Sequence, residues 1–241
     1  VPKNGIHLTL EDIKANVVIS DNVHDCPTRV ISLENTLNGM IIPLSEVQRI
    51  SQFARDNGIK MHCDGARLWE AVVAGAGTLK EFCALFDTLS LCFSKGLGAP
   101  VGSIIVGDKK TLQHARWTRK AIGGGMRQPG FITACARVAV DETFGTNDDG
   151  SDGLLKQGHE TAKKVEALWT GLGGKLVHPV HTNMAWLDIE AAGCSTDKFT
   201  ELSKAEGLAV GGGRLVTHYQ IAQNGEEVLA RLERVFKKVL A

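Results

Sequence analysis

The chain has 241 residues, 43% of them hydrophobic, and its 27 Lys and Arg balance 27 Asp and Glu. That length allows one large domain plus a smaller one with a substantial buried core. Zero net charge excludes a global positive field for nucleic acid or an acidic membrane, so a small-molecule partner is expected. No apolar run approaches the roughly 18 to 20 residues of a membrane span, because Asp87 interrupts even the stretch from Phe82 to Phe93. The chain therefore reads as soluble and cytoplasmic. Six cysteines without a Cys-x-x-Cys pair exclude a zinc knuckle and a disulfide scaffold, leave no metal site, and are expected to be reduced, buried thiols. The sequence opens on Val1, not methionine, so a targeting segment stays open.

In chain order, 30–33 reads as a strand, and Pro43 opens a helix over 44–57 with Leu44, Val47, Ile50 and Ala54 on one face. A strand over 59–63, a short helix over 67–74 and a fully buried strand over 88–94 follow, which is the alternation of βαβ units in a mainly parallel sheet. A strand over 102–106 comes after so short a link that its pairing with 88–94 must be antiparallel. Helices are expected over 109–122 and 129–143, and a Gly, Asn and Asp cluster over 145–153 marks a break. An amphipathic helix over 154–172 reads as a bridge into a small α+β unit. That unit has strands over 175–177, 184–188 and 215–218 and helices over 196–206 and 226–240. The domains are thus 1–150, a bridging segment 151–173, and 174–241.

Chemistry concentrates on two residues. Asp64 falls at the carboxyl end of one expected strand and Lys95 at the end of another 31 positions later, where open α/β sheets bind ligands. A βαβ unit needs about 30 residues, so both can reach one sheet edge. A pyridoxal ring accepts electrons while its nitrogen stays protonated, which a carboxylate such as Asp64 enforces. Its aldehyde needs an amine that gives up a proton readily, which partial burial and neighbouring positive charge would promote in Lys95. Asp-Gly is also a common turn, and Lys95 could equally be an exposed strand end. A dinucleotide loop at Gly96-x-Gly98 is rejected, since 100–106 leads into a strand where that motif needs a helix.

Leu33-Glu34-Asn35-Thr36, His62-x-Asp64-Gly65-Ala66-Arg67, the segment from Ser90 to Ser103 and Arg119-Lys120-x-x-Gly123-Gly124-Gly125-Met126-Arg127-Gln128 together resemble the low-specificity L-threonine aldolases, in order through the chain. The resemblance implies an α/β fold of the aspartate-aminotransferase type (fold type I). The chain would supply the second part of the large, mostly parallel-sheet domain and a small C-terminal α+β domain. It implies pyridoxal 5′-phosphate (PLP) as cofactor and cleavage of L-threonine or L-allo-threonine to glycine and acetaldehyde, a step of threonine catabolism and glycine biosynthesis. Lys95 becomes the Schiff-base lysine and Asp64 the partner of the ring nitrogen. Arg67 is placed near the ring hydroxyl and substrate carboxylate, Arg214 grips that carboxylate, and Arg127 with Lys120 serves the cofactor phosphate.

His24 matches a family histidine suited by its titration range to accept the β-hydroxyl proton. A homotetramer with sites shared across a dimer interface is also implied. One departure is Leu37, where the family has histidine. Another is that on the order of a hundred residues, with a phosphate loop and a ring-stacking histidine, would precede Val1 in the family. The alternatives are β-elimination or transamination on the same fold, or a non-catalytic truncated product.

Overall fold

The computed structural model describes residues 2–241, which divide by contact into two units, one running up to Leu37 with Ile41–Gly153, the other Asn38–Met40 with Leu154–Ala241. In the first unit β1 (Val30–Glu34), β2 (Lys60–Gly65), β3 (Thr88–Cys92) and β4 (Ser103–Gly107) form one sheet in that order. β1, β2 and β3 run parallel and β4 is antiparallel to β3, as the short link required. The strands alternate: Ile31, Leu33, Met61, Cys63, Leu89 and Leu91 are buried on one face, and the polar residues between them lie on the other. β3 was expected to be buried on both faces, but only Leu89 and Leu91 of its five residues are buried.

Two helices of this unit were unexpected. α1 (Leu10–Asn16) is set by a capping box in which Thr9 accepts from the Asp12 N–H and Asp12 accepts from Thr9. α2 (Leu44–Asp56) follows Pro43 and buries Val47, Ile50, Ser51 and Ala54 at helical spacing. After α3 (Leu68–Val73), the other unexpected helix, α4 (Leu79–Cys83), repeats the capping box with Thr78 and Glu81. Such caps contribute about 0.5–2 kcal/mol each, enough to fix helices too short to show an apolar period. α5 (Lys109–Ala121) starts on Asp108, and α6 (Gly130–Ala139) runs into a π-helical turn, Val140–Phe144.

The second unit begins with α7 (Leu155–Gly171) and a sheet of β5 (Leu176–His178), β6 (Met184–Leu187) and β7 (Arg214–Val216) in that order, all antiparallel. α8 (Thr196–Ala205), α9 (Tyr219–Ala222) and α10 (Gly225–Val239) complete it. α7, read from sequence as a bridge, contributes Ala162, Val165 and Trp169 to this unit's core. Trp169 and Phe236 are fully buried and meet edge to face at 5.0 Å, an arrangement worth about 0.5–1.5 kcal/mol beyond burial. Residues 38–40 join this unit because Trp186 Nε1–H donates to Asn38 O at 2.9 Å and the Thr182 hydroxyl to Gly39 O at 2.7 Å. Gly39 needs to be glycine, since its φ is +83° and a Cβ there would lie 2.7 Å from Met184 Cβ.

The expectation of uniformly buried cysteines is corrected. Only Cys63 and Cys194 are buried, Cys26 and Cys135 are exposed, and all six thiols are free. Packing among strands favours small apolar groups, and burial pushes the Cys63 thiol up to about 12, so that thiol is inert. Among the described residues no helix is long and apolar enough to cross a membrane.

Glu206, just past α8, accepts from Arg234 Nε and Lys238 Nζ of α10, each at 2.7 Å. The Lys238 and Arg234 hydrogen bonds hold its carboxyl at about 2, against an ordinary value of 4.5. A depressed folded-state pKa stabilises at pH above the unfolded value and loses that contribution as pH falls to the folded one. Thermal melts should therefore show Glu206→Gln less stable than the parent at neutral pH, with the gap closing between about 4.5 and about 2. A gap independent of pH would rule this clamp out.

Candidate active site

The polar face of the first sheet carries the candidate site at its carboxyl edge. Glu34 is the register partner of Asp64, and Asp64 of Ser90, so these three side chains leave the sheet on one face. Asp64 lies inside β2, which runs two residues further than expected, because Asn35 N–H bonds Asp64 O at 3.0 Å and Gly65 still pairs with Leu91. Gly65 permits this: a Cβ there would lie 2.9 Å from Ser90 O and 3.0 Å from Leu91 Cδ2. The Asp-Gly pair is thus a strand end pressed against its neighbour, not a free turn.

β3 ends at Cys92, two residues earlier than expected, so Lys95 sits in the loop that follows. That loop is closed by backbone bonds from Phe93 N–H to Gly102 O, Ala99 N–H to Phe93 O and Gly98 N–H to Lys95 O, at 2.9–3.0 Å. Leu97 and Ala99 are buried beneath it, and Trp69 of α3 donates from Nε1 to Cys92 O at 3.1 Å. The loop that carries the amine is consequently fixed at both ends. Lys95 is half-buried, and its Nζ donates to Cys92 Sγ at 3.2 Å. No carboxylate forms an ion pair with it among the described residues.

The charges of Asp64, Arg67 and Lys95 all reach Glu34. Burial pushes the Glu34 carboxyl above the usual range and Asp64 adds to this, while Arg67 and Lys95 oppose it. The structure thereby brings together Asp64, Lys95 and Arg67, and adds Glu34, a residue quoted in the family motif but given no task. Its signal was positional, since it ends β1 as Asp64 nearly ends β2. Thr36, two residues further on, was also passed over; its buried hydroxyl has no hydrogen-bond partner among the described residues.

The other sequence candidates are each described by their local contacts. His24 is exposed in the segment between α1 and β1, with its backbone N–H bonded to Asn22 Oδ1 at 3.0 Å. Part of the glycine run after α5 ends that helix: Gly124 N–H donates to Arg119 O at 2.8 Å and Gly123 has φ +86°. Lys120 folds back on the run, where a Cβ on Gly125 would lie 2.9 Å from its Cδ. Arg127 is exposed just before Pro129 and α6. Arg214 opens β7 of the second unit as the register partner of Trp186, with its guanidinium 5.6 Å from that ring.

A family comparison decides the class. The beta-eliminating lyase family matches residues 1–192. The chain belongs to the beta-eliminating lyase family. It is 48% identical over 239 residues to the aldolase vrtJ of Penicillium aethiopicum, covering 99% of the present chain and 59% of that protein. Over 220 residues it is 47% identical to the alanine racemase TOXG of Cochliobolus carbonum, covering 91% and 57%. The low-specificity L-threonine aldolase of Candida albicans is 42% identical over 225 residues, covering 92% and 58%. The lyase-family chain thus spans 57–59% of the length of these relatives.

A solved threonine aldolase of Leishmania major superposes with a TM-score of 0.75 over 100% of this chain and 70% of its own, at 20% identity, and so shares the fold. That fold is the fold type I architecture expected from the sequence, and PLP is the cofactor of the family.

The cluster suits that cofactor chemically. It offers an amine with no ion-pair partner among the described residues, carboxylates at the same sheet edge and a guanidinium beside them. Borohydride reduction of the full-length protein after PLP loading, followed by peptide mass analysis, should place the cofactor mass on the peptide containing Lys95. Lys95→Ala should remove it. The same mass on another lysine of the unsubstituted protein would refute the assignment.

Proposed function

We propose that the full-length protein is a PLP-dependent aldehyde-lyase that cleaves a β-hydroxy-α-amino acid, L-threonine or L-allo-threonine, between Cα and Cβ to give glycine and acetaldehyde. The observation that carries this reading is the cluster of Lys95, Asp64, Arg67 and Glu34 at one sheet edge. The 42% identity to a threonine aldolase supports the choice of substrate.

When bound, the cofactor supplies a sink for the electron pair left on Cα. Lys95 anchors the cofactor's aldehyde carbon, and its loop, fixed at both ends, keeps the amine from drifting out of reach. Asp64 holds a proton at the ring nitrogen by favouring its cationic form. Arg67 would hold an oxyanion at the same edge. Arg214 would hold the substrate carboxylate, a task suited to a planar guanidinium fork already oriented over Trp186. Lys120 and Arg127 would serve the cofactor phosphate, and His24 would accept the β-hydroxyl proton. The bound cofactor would weaken a bond at the substrate Cα, and the hold of Arg214 on the substrate carboxylate would decide whether Cβ or a proton is lost. Racemisation is therefore the second reading, favoured by the 47% identity to a protein named as an alanine racemase.

Incubation of the full-length enzyme with L-threonine, L-allo-threonine and L-alanine separates these readings. Glycine with acetaldehyde is the expected product pair. D-alanine alone would establish the racemase, and 2-oxobutyrate with ammonia from threonine a β-elimination.

A homotetramer with active sites shared across a dimer interface is proposed as well. α5 buries none of its 13 residues. Trp117, Ile122 and Phe131 are 74%, 79% and 74% exposed, an apolar surface of the kind that marks association. Light scattering of the full-length protein should give four times the chain mass, and Trp117→Glu should lower it. A monomer at micromolar concentration would refute the assembly.

A further inference from the structure

We propose that Cys92 is a positioning residue for Lys95: its Sγ holds the amine on the sheet face that carries Asp64 and leaves the nitrogen's lone pair free for the cofactor's aldehyde. The inference rests on the reading of Lys95 as the cofactor's anchor.

Lys95 Nζ donates to Cys92 Sγ at 3.2 Å, and among the described residues this is the one side-chain hydrogen bond that Lys95 makes. Its direction matters. Cys92 lies two residues past Ser90 on β3, and Ser90 is the register partner of Asp64, so period-two alternation sends the thiol to the face of Asp64 and Glu34. Lys95 lies beyond the strand, where no alternation governs its side chain, and a four-carbon stem has many rotamers that lead away from the sheet. The thiol turns that stem back. The charge of Lys95 accordingly reaches Glu34 on the same face.

Cys92 is itself fixed. It is the register partner of Ser103 on β4, its carbonyl oxygen accepts from Trp69 Nε1 at 3.1 Å, and the next backbone N–H, that of Phe93, bonds Gly102 O at 3.0 Å. A rigid acceptor can therefore orient a flexible donor. A thiol also suits the chemistry. The hydrogen bond uses an N–H, so the lone pair of the unprotonated amine stays available to the aldehyde carbon. As the carbon–nitrogen double bond forms, the aldehyde oxygen leaves as water with both amine hydrogens, and the contact with Cys92 is given up. Sulfur is a weak acceptor, so that loss costs little. A carboxylate in its place would hold a lysine ammonium as an ion pair and resist the step.

The test uses the full-length apo-protein and two probes. Equilibrium affinity for pyridoxine 5′-phosphate, which has no aldehyde, reports the cofactor cradle alone. The rate of PLP capture, followed by the absorbance of the linked cofactor and by borohydride trapping on the Lys95 peptide, reports the amine. Cys92→Val should keep parental affinity for pyridoxine 5′-phosphate but capture saturating PLP roughly three- to tenfold more slowly, the value of one hydrogen bond. Cys92→Ser, which restores an acceptor, should return the rate to within about twofold of the parent. Capture by Cys92→Val at the parental rate would overturn the proposal, and so would a Cys92→Ser as slow as Cys92→Val, since side-chain volume would then be the cause. If Cys92→Val loses affinity for pyridoxine 5′-phosphate, Cys92→Ala and Cys92→Ser are compared at saturating PLP: faster capture by the serine variant supports the role, and equal rates refute it. The two layers separate by mass. Cofactor trapped on another lysine of the parent would bring down the reading of Lys95, whereas trapping on Lys95 at the parental rate in Cys92→Val removes only the role of Cys92.

Discussion

The candidate site depends on the register in which β1, β2 and β3 hydrogen-bond. Parallel pairing places Glu34 opposite Asp64 and Asp64 opposite Ser90, and period-two alternation then sends all three to the same face. A slip of one residue would turn Leu33 and Cys63 to that face and bury the carboxylates. The apolar set of Ile31, Leu33, Met61, Cys63, Leu89 and Leu91 prevents such a slip, because it has only one face on which to be buried. Packing on one side of the sheet therefore enforces chemistry on the other.

The amine is held by a different device. Lys95 belongs to no strand, and its loop gains its geometry from three backbone hydrogen bonds, two buried side chains and the indole of Trp69. A loop so braced loses little further entropy when its lysine engages a ligand. The same economy is seen at Gly65, where the absence of a side chain lets β3 approach the strand that carries Asp64.

Much of this arrangement was legible in the sequence. Apolar periodicity located α2 and α7, and turn length alone settled the antiparallel pairing of β4. The 31-residue spacing of Asp64 and Lys95, together with long matching segments, pointed to one sheet edge and one family. The short helices α1 and α4 were missed because capping boxes, not apolar stripes, define them. Part of the glycine run after α5 serves as a helix stop, a task that cannot be told from an anion nest by composition.

The sequence by itself determined which residue types were available and which faces could be buried, because hydrophobic period and chain length are local properties. Only the tertiary structure decided that Glu34 stands beside Asp64, 30 positions away. It also decided that Lys95 rests on Cys92 and that His24 lies exposed. Such neighbours are set by strand register and burial, which arise between segments and leave no mark on any one of them.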